Sequence, residues 1–429
     1  MATKKPELPV ENPLNRRNFL KGSAALAGGV AAVAVPTMAL AGDPENLPPN
    51  VPSWSQGLGD GVDITPYGMP SEFEQKVVRR TVPWLTATPE SSVSFTPIAD
   101  LHGIITPNGL HFCRHHGGVA DIDTDDHRLV IHGLVDRELI FTMRDIKRMP
   151  SVSRVHFLEC AANGGMEWRG AQLEAVQFTH GMISCCEWTG VKLSTLLDEC
   201  GIKPKAKWLL AEGADASGMT RSIPMDKALD DCMVVYAQNG EMLRPEQGYP
   251  LRLFVPGWEG NMSIKWLRRI EVGDQPWHTR EETSKYTDLM PTGKARQFTW
   301  FQECNSVITS PSMEKPINGK GFVEIQGLAW TGQGKIKQVD VSVDGGKNWQ
   351  PAQIDGPVFG KALTRFHLPW KWDGKPALLQ SRAIDESGYV QPDFSELRAL
   401  RGEWSIYHNN SVHTWKVNTG GDVENVQIS

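Results

Sequence analysis

Alternating apolar and polar residues form several short runs in the last third of the chain. Phe322 to Trp330 alternates strongly, and Val339 to Val343 alternates again before Asp344-Gly345-Gly346, which is typical of a tight turn because glycine readily adopts positive φ. Two further strands are predicted, at Ala362 to Leu368 and at Leu378 to Asp385. Short strands separated by turns predict an all-β sandwich, which we assign to residues 291–429.

The middle of the chain mixes strand-like and helix-like runs. Arg128 to Leu134 and Leu251 to Val255 are apolar enough to predict strands. Leu193 to Cys200 predicts a short helix, because Gly201 can end a helix and a proline follows soon after. This mixture predicts an α+β domain over residues 96–290. The Pro-, Gly- and Ser-rich residues 42–95 predict an extended segment that wraps around it.

Two arginines near the N-terminus precede a weakly apolar stretch. Arg16-Arg17 comes shortly before Ser23 to Leu40, which is rich in Ala, Gly and Val. Ala39-Leu40-Ala41 then provides the small residues that signal peptidase requires. A membrane anchor is the alternative, but Pro36 interrupts the stretch, which is too weakly apolar for a stable spanning helix. We predict a twin-arginine signal peptide over residues 1–41, export of the folded protein, and a location in the periplasm.

The overall composition narrows the class of protein without naming a function. Hydrophobic residues make up 40% and charged residues 22%, an ordinary globular balance. The net charge of -6 argues against nucleic acid as a general partner. Beyond the leader, no run of about 18 apolar residues occurs, so no membrane span is predicted in the mature form.

The chain has seven cysteines, an odd number that leaves at least one free thiol or metal ligand. Folding in the reducing cytoplasm before export weakens the expectation of disulfides. No Cys-x-x-Cys motif occurs, so we expect no ordinary c-type haem in this chain, and iron–sulfur and zinc-ribbon sites are disfavoured. The cysteines are Cys113, Cys160, Cys185, Cys186, Cys200, Cys232 and Cys304.

A histidine-rich segment, His111 to Gly118, is open to three interpretations. Cys113 and its neighbouring histidines have spacings that a zinc ion can use, although no second ligand pair is apparent. The segment is otherwise a strand end with unrelated histidines, or an anion-binding cradle in which Arg114 and His116 donate hydrogen bonds. Spacing alone does not decide among them.

Cys160 follows a strand-like run from Ser153 to Leu158 and precedes the small residues Ala161 to Gly165. A thiolate at this position would be accessible, and the small residues would let a bulky group approach the backbone. The alternatives are an inert buried thiol and a nucleophilic cysteine. Further along, Lys265 follows a Gly-rich turn and either faces a phosphate or is simply exposed on a strand.

Together these segments resemble the sulfite oxidase family of molybdopterin enzymes, from about residue 98 to the C-terminus. Phe112 to His116 is similar to that family's Phe-x-Arg-Asn-His, with His115 in place of the asparagine. Cys160 to Asn163 is similar to its Cys-Ala-Gly-Asn, whose thiolate binds molybdenum. Several weaker matches follow in the family's order, which makes the set more specific than any one motif.

The resemblance implies a molybdenum-molybdopterin cofactor and an α+β molybdopterin domain followed by an immunoglobulin-like dimerisation domain. It implies that Cys160 binds molybdenum and that Tyr286 and Arg114 are catalytic with it. The implied cofactor-binding residues are Phe112, Arg114, His116, Asp215, Gln247, Arg252, Ser263, Ile264 and Lys265.

The chain also departs from the family's sulfite oxidases. Two arginines follow the cysteine motif there, where this chain has Gly164 and Gly165, and Met262 and Gln247 replace another arginine and a pterin-contacting histidine. Each lost charge-assisted hydrogen bond weakens the binding of a dianion by about 1.5–3 kcal/mol. Because the glycines also make room, we expect a substrate that is larger and less anionic than free sulfite.

Within the family, this pattern and the leader resemble the molybdenum subunit of sulfane dehydrogenases, which oxidise cysteine-bound sulfane sulfur on a carrier protein. The resemblance implies a mono-haem or di-haem c-type cytochrome subunit as electron acceptor and a dimer of this chain in a heterotetramer. The alternatives are a periplasmic sulfite:cytochrome c oxidoreductase, a methionine sulfoxide reductase of the same fold, and a non-catalytic binding module.

Overall fold

The computed structural model describes residues 70–428, which belong to one compact unit. Its α-helices are α1 (Met143–Arg148), α2 (Val176–His180), α3 (Leu193–Cys200), α4 (Met225–Asp230), α5 (Arg280–Thr283) and α6 (Phe394–Arg401). Its strands are β1 (Arg80–Thr81), β2 (Val93–Phe95), β3 (Cys113–Arg114), β4 (Arg128–Gly133), β5 (Leu139–Thr142), β6 (Ser151–Glu159), β7 (Ile183–Lys192), β8 (Trp208–Gly213), β9 (Thr220–Pro224), β10 (Met233–Gln238), β11 (Glu241–Met242), β12 (Arg252–Phe254), β13 (Leu267–Gly273), β14 (Asp288–Leu289), β15 (Ala295–Arg296), β16 (Asn305–Ser310), β17 (Gly321–Trp330), β18 (Ile336–Ser342), β19 (Gln350–Pro351), β20 (Gln353–Ile354), β21 (Thr364–Trp372), β22 (Ala377–Asp385), β23 (Thr414–Val417) and β24 (Val423–Val426).

The first large sheet has five strands and ends at the Cys160 loop. Its order is β11-β10-β7-β6, with β12 also paired to β10. The long antiparallel pair of β6 and β7 is buried on both faces near Cys160. Phe157 and Cys185 point into one hydrophobic core, whereas Leu158 and Cys186 point into another, as the alternation of a strand requires. This two-sided burial fixes the position from which Cys160 leaves the sheet.

The second large sheet contains β13, the strand that begins just after Lys265. Its order is β5-β4-β13-β8-β9, and only the pairing of β13 with β4 is parallel. Helix α3 buries Leu193, Leu196 and Leu197 against the same core as Ile270 of β13. Lys265 therefore lies just before a strand that is anchored on both edges.

The C-terminal strands form two sheets that face each other. One has the order β16-β17-β21-β20 and the other β19-β18-β22-β23-β24. Their shared core contains the fully buried rings of Trp330 and Trp415. Phe157 and Ile183 of the first large sheet belong to the same cluster, so the sandwich is packed directly against the sheet that positions Cys160.

The predicted α+β region followed by a β-sandwich is confirmed. The helix predicted from Leu193 to Cys200 has these bounds, and Gly201 ends it with a φ of 72°. Of the predicted wrapping segment, residues 70–95 are described, and they contribute β1 and β2 to a three-stranded sheet with β3. The predicted signal peptide lies outside the described residues, and the domain boundaries remain predictions. Within residues 70–428, no helix has the length and apolar character needed to cross a membrane.

Candidate functional site

Cys160 lies where β6 leaves the first large sheet, with its side chain 8% exposed. Its backbone N–H donates to the carbonyl oxygen of Met182 at 3.0 Å, which extends the pairing of β6 and β7 by one residue. Its side chain faces a small cavity of about 70 Å³. The thiol is therefore held by the sheet behind it and reaches the cavity in front of it.

Every site residue predicted from the sequence lines this cavity. They come from separated parts of the chain, and the packing of the two large sheets brings them together. The predicted residues in the cavity wall are Phe112, Arg114, His116, Cys160, Asp215, Gln247, Arg252, Ser263, Ile264, Lys265 and Tyr286. The cavity wall also contains residues that were not predicted, namely Cys113, His115, Leu158, Met219, Gly260, Asn261 and Trp266.

Arg252 contributes a buried positive charge to the cavity. Its guanidinium donates to the carbonyl oxygen of Gln247 at 3.1 Å and to that of Ser263 at 3.2 Å. It is 3% exposed and its Nε has no hydrogen-bond partner. Burial lowers the pKa of Arg252 to about 10. A buried guanidinium with an unused donor is suited to an anionic ligand.

Lys265 adds a second cation on the same wall. Its ammonium donates to the carbonyl oxygens of Arg114 at 3.1 Å and Glu246 at 3.2 Å, and it lies 2.9 Å from Nδ1 of His115. Among the described residues, no carboxylate lies within ion-pair distance of Lys265. Lys265 is surrounded by protein on every side except the cavity, and this burial lowers the pKa of its ammonium to about 7. An anion entering the cavity would restore the charged form.

Gln247 and Ser263 hold the backbone segments around these cations. The side-chain amide of Gln247 donates to the carbonyl oxygen of Phe112 at 3.2 Å, and its Oε1 accepts from Arg252 at 3.3 Å. The hydroxyl of Ser263 accepts from the backbone N–H of Val255 at 3.0 Å. The side chain of Gln247 is thus used to connect two wall segments.

The histidine-rich segment contributes to the wall as a short strand and the turn after it. His111 is fully buried and stacks on the ring of Phe112, with 5.1 Å between ring centroids. His116 follows β3, and its Nε2 lies 3.5 Å from the hydroxyl of Tyr286. Among the described residues, no three His, Cys, Asp or Glu side chains could hold a metal ion, so the zinc interpretation has no support.

Arg114 and Tyr286 lie between the small cavity and a larger one. The guanidinium of Arg114 donates to the carbonyl oxygens of Ser91 and Ser92, both at 3.4 Å. Burial raises the pKa of Tyr286, whose ring lies 5.5 Å from the guanidinium carbon of Arg221. Tyr286 also has a φ of 54°, a left-handed conformation that is uncommon for a tyrosine.

The larger cavity opens beside Cys160 and has a volume of about 530 Å³. Part of its wall is apolar and aromatic: Cys160 and Met182 belong to one hydrophobic cluster, Leu85 and Phe178 pack against it, and Tyr407 also lines the cavity. Its rim carries basic side chains that the sequence did not indicate, namely Arg169, Arg280 and Lys285. The guanidinium of Arg280 pairs with a carboxylate at 3.2 Å and its side chain is 60% exposed.

The state of the Cys160 thiol bears on its chemistry. Burial raises its pKa, and the effects of the Ala162 backbone and of Arg114, which lower it, are smaller. A nucleophilic cysteine normally needs a pKa lowered toward neutral, so the burial of this thiol disfavours that interpretation. A thiolate is expected here only when a metal ion displaces its proton.

The described residues fit a molybdopterin cofactor. The cavity offers the thiol of Cys160 and two cations, Arg252 and Lys265, that no carboxylate of the described residues pairs with. The second cysteine in the wall, Cys113, already accepts hydrogen bonds at its sulfur from Arg79 and Gln247. Gly260 allows the loop after β12 to approach, because a β-carbon there would lie 2.7 Å from the carbonyl oxygen of Glu159. A thiol for the metal and buried cations for the pterin phosphate are the donor set that such a cofactor needs.

The buried histidines predict a loss of stability in acid. Burial lowers the pKa of His111 to about 3 and those of His156 and His180 to about 4. Because the unfolded chain binds protons near pH 6.5, it holds more protons than the folded chain between these values. We expect the free energy of unfolding in urea to fall as the pH is lowered from about 6.5 toward 4. His111→Phe should make this slope shallower, and an unchanged slope would contradict the assignment.

Comparison with family models covers most of the described chain. A model of the oxidoreductase molybdopterin binding domain matches residues 116–281. A model of the Mo-co oxidoreductase dimerisation domain matches residues 296–415. A model of the twin-arginine translocation signal matches residues 13–35, which confirms the predicted export signal and the periplasmic location, although these residues lie outside the described part.

Known proteins are similar to this chain over most of its length. The NADH nitrate reductase of Ulva prolifera is 31% identical in an alignment 337 residues long that covers 69% of this chain and 39% of that protein. An inducible NADH nitrate reductase of Glycine max is 35% identical over 68% of this chain and 37% of its own length. The chain therefore spans well under half of these relatives. The crystal structure of the sulfane dehydrogenase SoxCD from Paracoccus pantotrophus matches with a TM-score of 0.87 and 56% identity, over 90% of this chain and 100% of that chain.

Proposed function

Because this chain belongs to the sulfite oxidase family of molybdopterin oxidoreductases, we propose that it oxidises sulfane sulfur bound to a cysteine of a carrier protein. In this proposal it is the molybdenum subunit of a sulfane dehydrogenase. Its electrons pass to a c-type cytochrome subunit, with one or two haems, in the periplasm. The similarity to a sulfane dehydrogenase over the whole of the matched chain supports the choice within the family.

The observation that carries the proposal is the shape and charge of the larger cavity. Cys160 lies in an apolar and aromatic part of its wall, and Nη1 of Arg114, which also lines the cavity, is directed to backbone carbonyls. Free sulfite is a small dianion and would need several cations at this depth. A sulfur chain on a peptide arm is long and carries little charge, so it suits the inner cavity. The basic side chains of the rim would favour a carrier protein with an acidic surface around that cysteine.

When bound, the molybdopterin cofactor supplies the oxygen transfer to sulfur and accepts the two electrons that the oxidation releases. Cys160 would bind the metal, and Arg252 and Lys265 would hold the phosphate of the pterin. Arg114 uses Nη1 for the carbonyl oxygens of Ser91 and Ser92, and its other guanidinium nitrogens can donate to negative charge on the substrate sulfur. Tyr286 can pass a proton between the cavity and the neutral ring of His116, whose pKa is lowered by burial to about 4.

The partners are part of the same proposal. The match to a Mo-co dimerisation domain supports a dimer through the β-sandwich, and the similarity to a two-component sulfane dehydrogenase supports a second subunit. We propose a heterotetramer that contains two copies of this chain and two of the cytochrome. The carrier protein is then a transient partner that enters at the basic rim formed by Arg169, Arg280 and Lys285.

Steady-state kinetics with the purified complex tests the proposal. We expect kcat/KM for a persulfidated carrier protein to exceed that for free sulfite by at least about a hundredfold, as the loss of two charge-assisted bonds predicts. The reduced carrier without sulfane sulfur is the matched control substrate. A higher kcat/KM for sulfite would favour the sulfite:cytochrome c oxidoreductase alternative. Turnover of nitrate instead would show that the chain acts like its nitrate reductase relatives.

A further inference from the structure

A segment near the C-terminus lies along the Cys160 loop. The backbone N–H of His408 donates to the carbonyl oxygen of Ala161 at 2.7 Å. The side-chain amide of Asn409 donates to the carbonyl oxygen of Gly164 at 3.0 Å. These two bonds hold residues 406–409, which follow α6, against the loop, and Ile406 and Tyr407 of this segment line the larger cavity.

The same segment explains the two glycines that replace the family's arginines. A β-carbon at Gly165 would lie 2.6 Å from the carbonyl oxygen of Ile406. At Gly164, which has a φ of 70°, a β-carbon would lie 3.1 Å from that of Asn409. A side chain at position 165 would therefore collide with the C-terminal backbone. Residues 406–409 can approach this closely only because positions 164 and 165 carry glycine in place of the family's arginines.

Tyr407 projects from this segment into the cavity. Its ring packs against that of Tyr286, with 5.0 Å between centroids and 31° between planes. Both rings line the larger cavity beside Cys160. The space near Cys160 is thus limited by an aromatic pair, of which Tyr407 was not predicted from the sequence.

A buried ion network holds Tyr407 in place. The next residue, His408, has its Nε2 2.6 Å from a carboxylate oxygen of Glu259, and the guanidinium of Arg221 lies 3.4 Å from the other carboxylate oxygen. All three side chains are almost fully buried. On the other side, the indole of Trp168 donates to the carbonyl oxygen of Tyr407 at 3.2 Å. A backbone fixed on both sides gives the tyrosine ring little freedom to withdraw.

We propose that Tyr407 is a specificity-determining residue that selects a slender, weakly charged sulfur substrate over a small free dianion. Its ring closes the apolar part of the cavity beside Cys160 and occupies the space from which a cation could reach an anion there. The inference rests on the proposed function for the identity of the favoured substrate. The exclusion of anions by Tyr407 depends only on the residues that line the cavity, whichever substrate the enzyme oxidises.

The test compares the intact complex with two variants and a control. Tyr407→Arg places a guanidinium beside Cys160, whereas Tyr407→Phe keeps the ring and removes the hydroxyl. Ile140→Arg adds the same charge on an exposed strand that lines neither cavity, with Ile140 66% exposed. The measurements are the Kd for sulfate by calorimetry, kcat/KM for sulfite and for the persulfidated carrier protein, and the molybdenum content.

We expect Tyr407→Arg to bind sulfate at least about tenfold more tightly and to raise kcat/KM for sulfite by a similar factor. We expect its kcat/KM for the carrier to fall at least about tenfold. Tyr407→Phe should stay within about threefold of the parent for both substrates, and Ile140→Arg should change nothing. Tyr407→Lys replaces the arginine variant if that one does not fold or retain molybdenum.

Unchanged sulfate affinity in a folded, molybdenum-loaded Tyr407→Arg or Tyr407→Lys variant would overturn the inference. The same sulfate affinity gain in Ile140→Arg would overturn it too, because the effect would then come from net charge. If the parent complex does not oxidise the carrier, the proposed function fails. Sulfate affinity still decides separately whether Tyr407 excludes anions.

Discussion

Cys160→Ser should lower kcat by at least about a thousandfold on every sulfur substrate, the largest effect that we expect from a single atom. The serine oxygen has nearly the volume of the thiol but is a much harder ligand, and molybdenum in this kind of site needs the soft thiolate. Because Cys160 faces the cavity, the substitution should leave the free energy of unfolding within about 1 kcal/mol of the parent. Turnover per chain and urea unfolding are the two measurements.

The matched control for this variant is Cys304→Ser. Cys304 is also buried, 1% exposed, but it lies in the core of the β-sandwich and lines neither cavity near Cys160. We expect it to keep full turnover per bound molybdenum and to lose stability instead, because a hydroxyl is placed in an apolar core. Near-normal turnover in Cys160→Ser would remove the assignment of the metal ligand.

Lys265→Met should raise the dissociation constant of the cofactor by about 10- to 150-fold. This factor corresponds to the loss of one charge-assisted hydrogen bond, which is worth about 1.5–3 kcal/mol. The ammonium of Lys265 has no carboxylate partner among the described residues, and its pKa is lowered to about 7. The chain without cofactor gains little from this charge, so its free energy of unfolding at pH 7 should change by no more than about 1 kcal/mol.

Lys227→Met is the matched control, because Lys227 is similarly enclosed but paired with Asp231 at 2.6 Å. We expect it to retain the cofactor and to lose about 1–3 kcal/mol of stability. Cofactor content by fluorescence of the oxidised pterin and urea unfolding of the cofactor-free chain separate the two effects. Full cofactor retention in Lys265→Met, or a stability loss as large as that of Lys227→Met, would contradict a phosphate-binding role.

Most of the fold could be predicted because local signals and tertiary structure agree. Helix α3 was predicted with its observed bounds, since Gly201 is the residue that a helix end with positive φ requires. The strands of the sandwich alternate between core and surface, so their pattern is visible in the sequence. The three-stranded sheet of β1, β2 and β3 was not predicted, because strands of two or three residues carry too little periodicity.

The cavity residues could be predicted only where they belong to a recognisable motif. Cys160 follows β6, Arg252 begins β12 and Lys265 precedes β13, in the order that the family motifs specify, and the structure brings them together. Tyr407 could not be found in this way, because its contact with Tyr286 joins residues far apart in the sequence. The buried ion network was missed as well, since hydropathy patterns assign charged residues to the surface.

The structure also gives a second physical reason for Gly164 and Gly165. The sequence suggested that they make room for a substrate. They do line the larger cavity, but their β-carbon positions point toward the backbone of Ile406 and Asn409. The glycines thus make room for a wall of the cavity, and that wall shapes the space left for the substrate.

X-ray absorption at the molybdenum edge of the purified protein tests the central claim, that Cys160 completes a molybdenum site in this chain, most directly. We expect one sulfur neighbour more than the cofactor's dithiolene supplies, because the Cys160 thiol faces the same cavity as Arg252 and Lys265. A spectrum that shows only the dithiolene sulfurs, from protein fully loaded with molybdenum, would contradict it.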